Sequence, residues 1–217
     1  MILQRILCVL IGYVFGLFQT GYLYGKTKHI DIREHGSGNA GTTNTLRTLG
    51  WKAGIITFLG DLFKAILAVF VAWLLFHKQF PNEILVLEMY AGFGAVLGHN
   101  FPFYLGFKGG KGIACTTGFI IACFLPEVPV GLVLFILAVA LTGYVSLGSI
   151  LVLFAFMIQL VLFGELGILN IPDGYHLEVY LVGLAFTLMG LWRHRANIAR
   201  LIQGKENKFH SSKKEDK

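Results

Sequence analysis

The sequence predicts an all-α integral membrane protein, a polytopic helical bundle of about seven transmembrane helices. Three observations point there. Of 217 residues, 55% are hydrophobic and only 14% charged, whereas a soluble domain carries about 25% charged residues. Apolar runs long enough to cross a bilayer recur along the chain. The Lys and Arg residues gather in alternate connections.

The first apolar stretch, Ile6 to Tyr24, has Arg5 at its head and no A-x-A-like cleavage site. It runs directly into "YGKTKHIDIREH" and reads as a retained span, not a signal peptide. Hydrophobicity then places spans at 2–24, 55–77, 84–106, 113–125, 130–143, 146–164 and 177–193. Crossing the hydrocarbon takes about 20 helical residues, and the fourth and fifth candidates are shorter. They read as half-helices or as one hairpin around "PEVP", because Pro126 and Pro129 disfavour a continuing helix. Five spans plus a re-entrant hairpin is the alternative.

With the N-terminus outside, the inner segments 25–54, 107–112, 144–145 and the tail, counted from Arg193, hold five, two, none and eight basic residues. That is fifteen of the eighteen Lys and Arg, the asymmetry expected of a cytoplasmic C-terminus. Organisation follows as one transmembrane domain over 1–209 and a polar cytoplasmic tail over 210–217. The tail is suited to an anionic leaflet, where each Lys or Arg contributes about 1 kcal/mol. The net charge of +6 therefore reads as membrane topology, and nucleic acid is not an expected partner. Cys8, Cys115 and Cys123 all lie in apolar segments; their odd number and spacing give neither a disulfide framework nor a metal site.

Three glycine-and-base clusters share the inner side. The first, "EHGSGNAGTTNTLRTLG" (34–50), satisfies G-x-G-x-x-G at Gly36, Gly38 and Gly41. No strand precedes it and no βαβ unit surrounds it, so a dinucleotide fold is excluded. The physics of the match survives: glycines admit an anion close to the backbone, and amides opening a helix point at it. Thr42 and Thr43 are suitable N-caps and Gly50 a suitable stop. Asn39, Thr43 and Arg47 share a face if the helix begins early, and Ser37 stands among the glycines.

The second cluster, "GHNFPFYLGFKGGKG" (98–112), suggests a Walker A loop. Its spacing from Gly106 to Lys111 is one residue short, however, and Gly112 replaces the required Ser or Thr. What remains is Gly109, Gly110 and Gly112 around Lys108 and Lys111, immediately before a helix. The third, "RHRANIARLIQGKEN" (193–207), places Arg193, Asn197 and Arg200 at i, i+4 and i+7. An interfacial basic helix would give that stripe without any ligand. Within the second span, Asp61 and Lys64 are three apart and can pair. Charges at that depth are costly and rarely idle.

Taken together, these stretches closely resemble the bacterial membrane glycerol-3-phosphate acyltransferases that use acyl phosphate as donor. "GSGNAGTTNTLR", "GHNFPFYLGFKGGKG", "RHRANIARLIQGKENK" and the "DLFK" of the second span occur in the family's order and spacing, over about residues 10 to 208. The resemblance implies transfer of a fatty acyl group to the 1-hydroxyl of sn-glycerol 3-phosphate, with phosphate as the other product. It implies an active site facing the cytoplasm of a bacterial inner membrane, no metal and no cofactor. The partners it implies are glycerol 3-phosphate, long-chain acyl phosphate, membrane lipids and an enzyme that supplies acyl phosphate. No histidine here has Asp five positions on, so the H-x-x-x-x-D acyltransferase pattern is absent.

Residue by residue, the resemblance makes Ser37, Arg47, Lys111, His194 and Asn197 catalytic. It gives substrate binding to Gly36, Gly38, Asn39, Gly41, Thr43, Asn44, Lys64, His99, Lys108, Gly109, Gly110 and Gly112, and support to Asp61, Arg200 and Glu206. Ser37, His194 and a substrate phosphate oxygen are all candidates to take the hydroxyl proton. The competing class is a transporter of phosphate esters or other anions. It would need a polar path to the far side, and beyond Asp61 and Lys64 the spans offer little but Gln159 and scattered Ser and Thr.

Overall fold

Backbone contact between helices organises the bundle. In the computed structural model, residues 1–209 are described, and they contain helices and loops without a strand. The predicted tail, 210–217, lies outside the described residues. Helix α1 (Ile2–Gly16) crosses a helix later in the chain, α5 (Ile84–Asn100), at small residues on both. A Cβ built on Gly12 would fall 1.9 Å from the Ala91 carbonyl oxygen, and one on Gly94 would fall 2.2 Å from that of Val9. Interlocking small residues are how membrane helices gain van der Waals contact when lipid is as apolar as they are.

The first span, read from the sequence at 2–24, is built of two helices. It breaks after Gly16 and resumes as α2 (Thr20–Thr27). A break at membrane depth requires partners for the released carbonyls, and each has one. The Gln19 amide donates to Gly16 O at 3.0 Å, the Tyr104 hydroxyl to Leu17 O at 2.6 Å and the Lys64 ammonium to Phe18 O at 2.6 Å.

The glycine-rich loop leads into α3 (Thr42–Leu49), which Gly50 ends at φ +86 before α4 (Trp51–Phe76). After α5, the loop 101–112 enters α6 (Ile113–Cys123). Its eleven residues rise only about 16 Å, too little to cross. A 3₁₀ turn at Leu125–Glu127 follows, and α7 (Val128–Thr142) carries Pro129 in its first turn, where the missing amide costs nothing. The reversal expected around "PEVP" is therefore real but ends at Glu127. Helices α8 (Val145–Glu165), α9 (His176–Arg193) and α10 (Arg195–Ile202) complete the order.

Helices stand at each of the seven positions where a span was expected, but not all are long and apolar enough to cross. Five among the described residues are long and apolar enough to span: Ile2–Thr27, Trp51–Phe76, Ile84–Leu105, Leu125–Thr142 and Val145–Glu165. Phe119, Phe124, Phe156 and Phe186 fill the core between α6, α8 and α9, with the Phe119 and Phe186 rings stacked at 4.5 Å. This packing holds the loops that carry all three glycine-and-base clusters at one end of the bundle.

Candidate functional site

Four helices begin at one cavity. Gly41, Gly112, Tyr144 and His194 are the N-cap residues of α3, α6, α8 and α10. Thr42 and Thr43 of α3, Ile113 and Ala114 of α6, Val145 and Ser146 of α8 and Asn197 of α10 line the cavity. A helix N-terminus presents unpaired amides and about half a positive charge. Arg47, Lys111 and Arg200 add full charges to the same lining, while Phe58, Phe135 and Val145 give it an apolar flank. This is a site for an anion joined to something greasy.

The cations are held from two sides. Lys111 donates to Asn197 Oδ1 at 2.5 Å, Asn197 Nδ2 donates to Glu206 Oε1 at 2.9 Å, and Arg200 Nε donates to Glu206 Oε2 at 2.8 Å. Ammonium groups only donate and carboxylates only accept, so these partners fix the amide orientation of Asn197. Burial pushes the Lys111 ammonium down to about 8, and Glu206 opposes that effect. Arg47 donates to the Asn207 carbonyl at 3.2 Å. Its pKa is lowered by burial but remains that of a permanent cation.

His194 is 2% exposed, and its Nδ1 lies 2.8 Å from Gly190 O. A carbonyl only accepts, so Nδ1 carries the proton and Nε2 is left as an acceptor. Burial lowers the imidazole pKa to about 4, so the ring is neutral near pH 7.

The residues assigned from the first cluster divide between lining the cavity and shaping the loop beside it. Asn44 lines the cavity, but its amide is engaged by the loop: Oδ1 accepts from Ser37 N at 2.8 Å, and Nδ2 donates to Ile32 O and His35 O at 3.0 and 2.9 Å. Gly36, at φ +60, leaves room for that amide, and Gly38, at φ +69, turns the loop; neither lines the cavity. Asn39 precedes α3 instead of joining its face. Its Oδ1 accepts from Gly41 N at 2.9 Å, and Gly41, not Thr42 or Thr43, is the N-cap. Ser37, Asn39, Gly41 and Thr43 do line the cavity, Ser37 from an exposed position.

The second cluster divides. Lys111, Gly112 and His99 reach the cavity; Lys108 is exposed away from it. Gly109 and Gly110 are buried, and their amides donate to Asn100 O and His99 O at 3.2 and 3.1 Å, so they are not a cradle for phosphate. Their carbonyls accept from Arg193 at 2.9 Å for Gly109 and at 2.6 and 3.0 Å for Gly110. Because α9 ends at Arg193 and α10 starts at Arg195, the expected i, i+4, i+7 stripe is split. Arg193 braces the 109–110 loop, while Asn197 and Arg200 meet Glu206.

Beneath the cavity lies a buried charge cluster. Lys64 Nζ is 2.8 Å from Asp61 Oδ1 and 2.9 Å from His99 Nδ1. With Phe18 O as its third acceptor, all three ammonium protons are used inside the protein, so Lys64 joins three helical segments and does not face a substrate. Ligand atoms of Asp61, His99 and Cys115 lie within 4.8 Å of one another, and the Lys64 ammonium supplies the cation of that group. Residues absent from the sequence reading of the site are Arg193 as a brace, Ser146, Ser149, Asn207 and the aromatic pair Phe58 and Phe135. The serines fall at the start of the predicted span 146–164, with no motif to mark them.

Comparison with known proteins gives a consistent result. The family described as glycerol-3-phosphate acyltransferase matches residues 6–204. A protein of that name from Shouchella clausii is 41% identical over 96% of this chain and 98% of its own, and one from Alkaliphilus metalliredigens is 41% identical over 94% and 96%. The crystal structure of PlsY (YgiH), an integral membrane glycerol 3-phosphate acyltransferase, in its glycerol 3-phosphate form, superposes with a TM-score of 0.80. The identity is 30%, over 95% of this chain and 96% of that one. Its lysophosphatidic acid form gives 0.77 at 31% identity, covering 94% of each.

Proposed function

This chain belongs to the glycerol-3-phosphate acyltransferase family, and on that premise we propose that its cavity transfers a fatty acyl group from acyl phosphate to the 1-hydroxyl of sn-glycerol 3-phosphate. The products are 1-acyl-glycerol 3-phosphate, a lysophosphatidic acid, and inorganic phosphate. The observation that carries the reading is the convergence of four helix N-termini with Arg47, Lys111 and Arg200 on one cavity that has an apolar flank. Both substrates are phosphates and one has a fatty chain, so the lining matches the pair. The glycerol 3-phosphate and lysophosphatidic acid forms of the structural neighbour, a substrate and a product of this kind, support it further.

Arg47 and Lys111 divide the two phosphates, and Asn197 and Glu206 hold Lys111 in place. Acyl phosphate is a mixed anhydride with a good leaving group, so alignment of the hydroxyl with the carbonyl carbon supplies much of the acceleration. His194 Nε2 accepts the hydroxyl proton in a hydrogen bond and aims the oxygen. With a pKa of about 4, the ring is too weak a base to keep that proton near pH 7. The released phosphate, whose second ionisation lies near neutrality, carries it away. Ser37, exposed at the loop, contacts the substrate headgroup. No metal or cofactor enters the scheme.

The basic loops at this end of the bundle support a site facing the cytoplasm from a bacterial inner membrane, within one transmembrane domain over 1–209. The acyl chain enters between helices from the inner leaflet, and an acyl-phosphate-producing enzyme supplies the donor. Purified protein given palmitoyl phosphate and glycerol 3-phosphate should release phosphate and lysophosphatidate in equal amounts. Absence of both across detergents and chain lengths overturns the reading. A reporter fused after Lys217 should be active only in the cytoplasm.

A further inference from the structure

Several hydroxyls inside these helices return to the carbonyl four residues earlier, whereas those of Thr42, Thr57 and Ser146 are buried without a partner. Ser149 bonds to Val145 O at 2.9 Å, Thr187 to Gly183 O at 3.0 Å and Thr117 to Ile113 O at 2.9 Å. Such back-bonding is the ordinary fate of a helical hydroxyl in an apolar setting. Ser146 is different. It is the second residue of α8, so the residue four back, Thr142, belongs to the preceding helix. Its Oγ is buried without a hydrogen-bond partner in a residue only 7% exposed, and Ser146 lines the cavity.

An orphaned buried hydroxyl is costly, and persists where something else compensates for it. Here it stands at the N-terminus of a 21-residue helix, whose first-turn amides also lack intrahelical acceptors. Two independent features therefore offer donors at one point. That point lies on the apolar bank, with Val145 beside it and Phe135 packed against Gly148 of the same turn. Where an apolar chain meets a cationic site, the group of an acyl phosphate that lies at the junction is the carbonyl.

We propose that Ser146 Oγ, together with the first turn of α8, donates to the carbonyl oxygen of the acyl donor and stabilises the negative charge that develops there. The inference rests on the acyl-transfer reading above. In that step the 1-hydroxyl oxygen bonds to the carbonyl carbon and the carbonyl π pair moves onto oxygen. Return of that pair breaks the carbon–oxygen bond to phosphate, and the hydroxyl proton departs with the phosphate. A donor aimed at the carbonyl acts mainly on the tetrahedral state.

The test compares Ser146→Ala and Ser146→Thr with the unmodified full chain in detergent, using palmitoyl phosphate and glycerol 3-phosphate. Ser146→Ala should lower kcat about 100-fold, the scale of losing one oxyanion donor, with both KM values within about twofold. Its thermal stability should be unchanged or higher, because the hydroxyl has no partner in the fold; a merely structural serine would lose stability instead. Ser146→Thr keeps the hydroxyl and should recover most of kcat. Unchanged kcat in an active Ser146→Ala protein overturns the inference alone. A rise confined to the glycerol 3-phosphate KM overturns it in favour of phosphate binding. An inactive unmodified protein overturns both this inference and the acyl-transfer reading.

Discussion

The Lys111 ammonium and the Asn197 side-chain oxygen meet at 2.5 Å although 86 positions separate them in the chain. This contact joins the loop before α6 to α10, and Glu206 secures it from behind through Asn197 Nδ2. The electrostatics make it titratable. Lys111 is cationic below its pKa of about 8 and neutral above it, so the form that binds phosphate is lost as pH rises through 8. The kcat/KM profile, which reports the free enzyme, should fall on its basic side near that value. Glu206 raises the Lys111 pKa, so Glu206→Gln should move the basic limb to lower pH. A limb that stays in place in that variant shows that Lys111 titration does not set it.

Arg47 and Lys108 separate the cations that face the cavity from those that only flank the membrane. Arg47 lines the cavity with one guanidinium N–H on Asn207 O, and its remaining donors can meet a phosphate. Arg47→Ala should cut kcat/KM about 100-fold, or about 2.7 kcal/mol, with Arg47→Lys recovering part because a point charge replaces a fork. Lys108→Ala, at an exposed position outside the lining, should stay within about twofold of the parent in a phosphate-release assay. Equal losses in the two would put the phosphate contact elsewhere.

Much of this was readable from the chain because membrane helices announce themselves by length and apolarity. The three clusters, in turn, combine glycine with charge in segments that hydrophobicity leaves outside the spans. What could not be read was which polar atoms are already engaged. Asn44, Gly109, Gly110 and Lys64 have the chemistry of phosphate ligands, but the fold saturates them with its own partners, backbone for the first three and Phe18 O, Asp61 and His99 for Lys64. That saturation depends on contacts such as Lys64 to Phe18 O, 46 positions away. The break at Leu17 to Gln19 was hidden for a related reason. Leu17 and Phe18 are as apolar as a helix, and it takes the Gln19 amide together with the remote donors Tyr104 and Lys64 to make the irregular backbone tolerable. Ser146 was invisible because a lone serine carries no signal until its depth and its missing partner are known.

Gly110 offers a steric test of the loop that carries Lys111. A Cβ there would lie 1.9 Å from His99 Nε2, and the His99 ring is fixed by its Nδ1 contact with Lys64. Neither side can yield cheaply, so Gly110→Ala should destabilise by about 3 kcal/mol, the upper range for overpacking, and displace Lys111. The control is Gly131→Ala on α7, where the nearest atom is 4.0 Å away and alanine's helix preference should give a small gain. Thermal unfolding in detergent reads both; equal midpoints would show that the 109–112 loop is slack.

The buried pair Asp61 and Lys64 should behave as a unit. Their side chains are 1% and 4% exposed, and Asp61 also accepts from Thr20 at 3.2 Å. Removing one member leaves an uncompensated charge in a low-dielectric interior, typically about 3–5 kcal/mol. Lys64→Met further strips Phe18 O and His99 Nδ1 of their shared donor, so it should be the more damaging single change. In Asp61→Asn/Lys64→Met the stranded carboxylate is gone, and the double variant should be more stable than Lys64→Met alone. The double variant should still lose activity, because the ammonium no longer ties the α1–α2 break to His99 beside the cavity. A double variant whose destabilisation equals the sum of the two single changes would show that the charges do not couple.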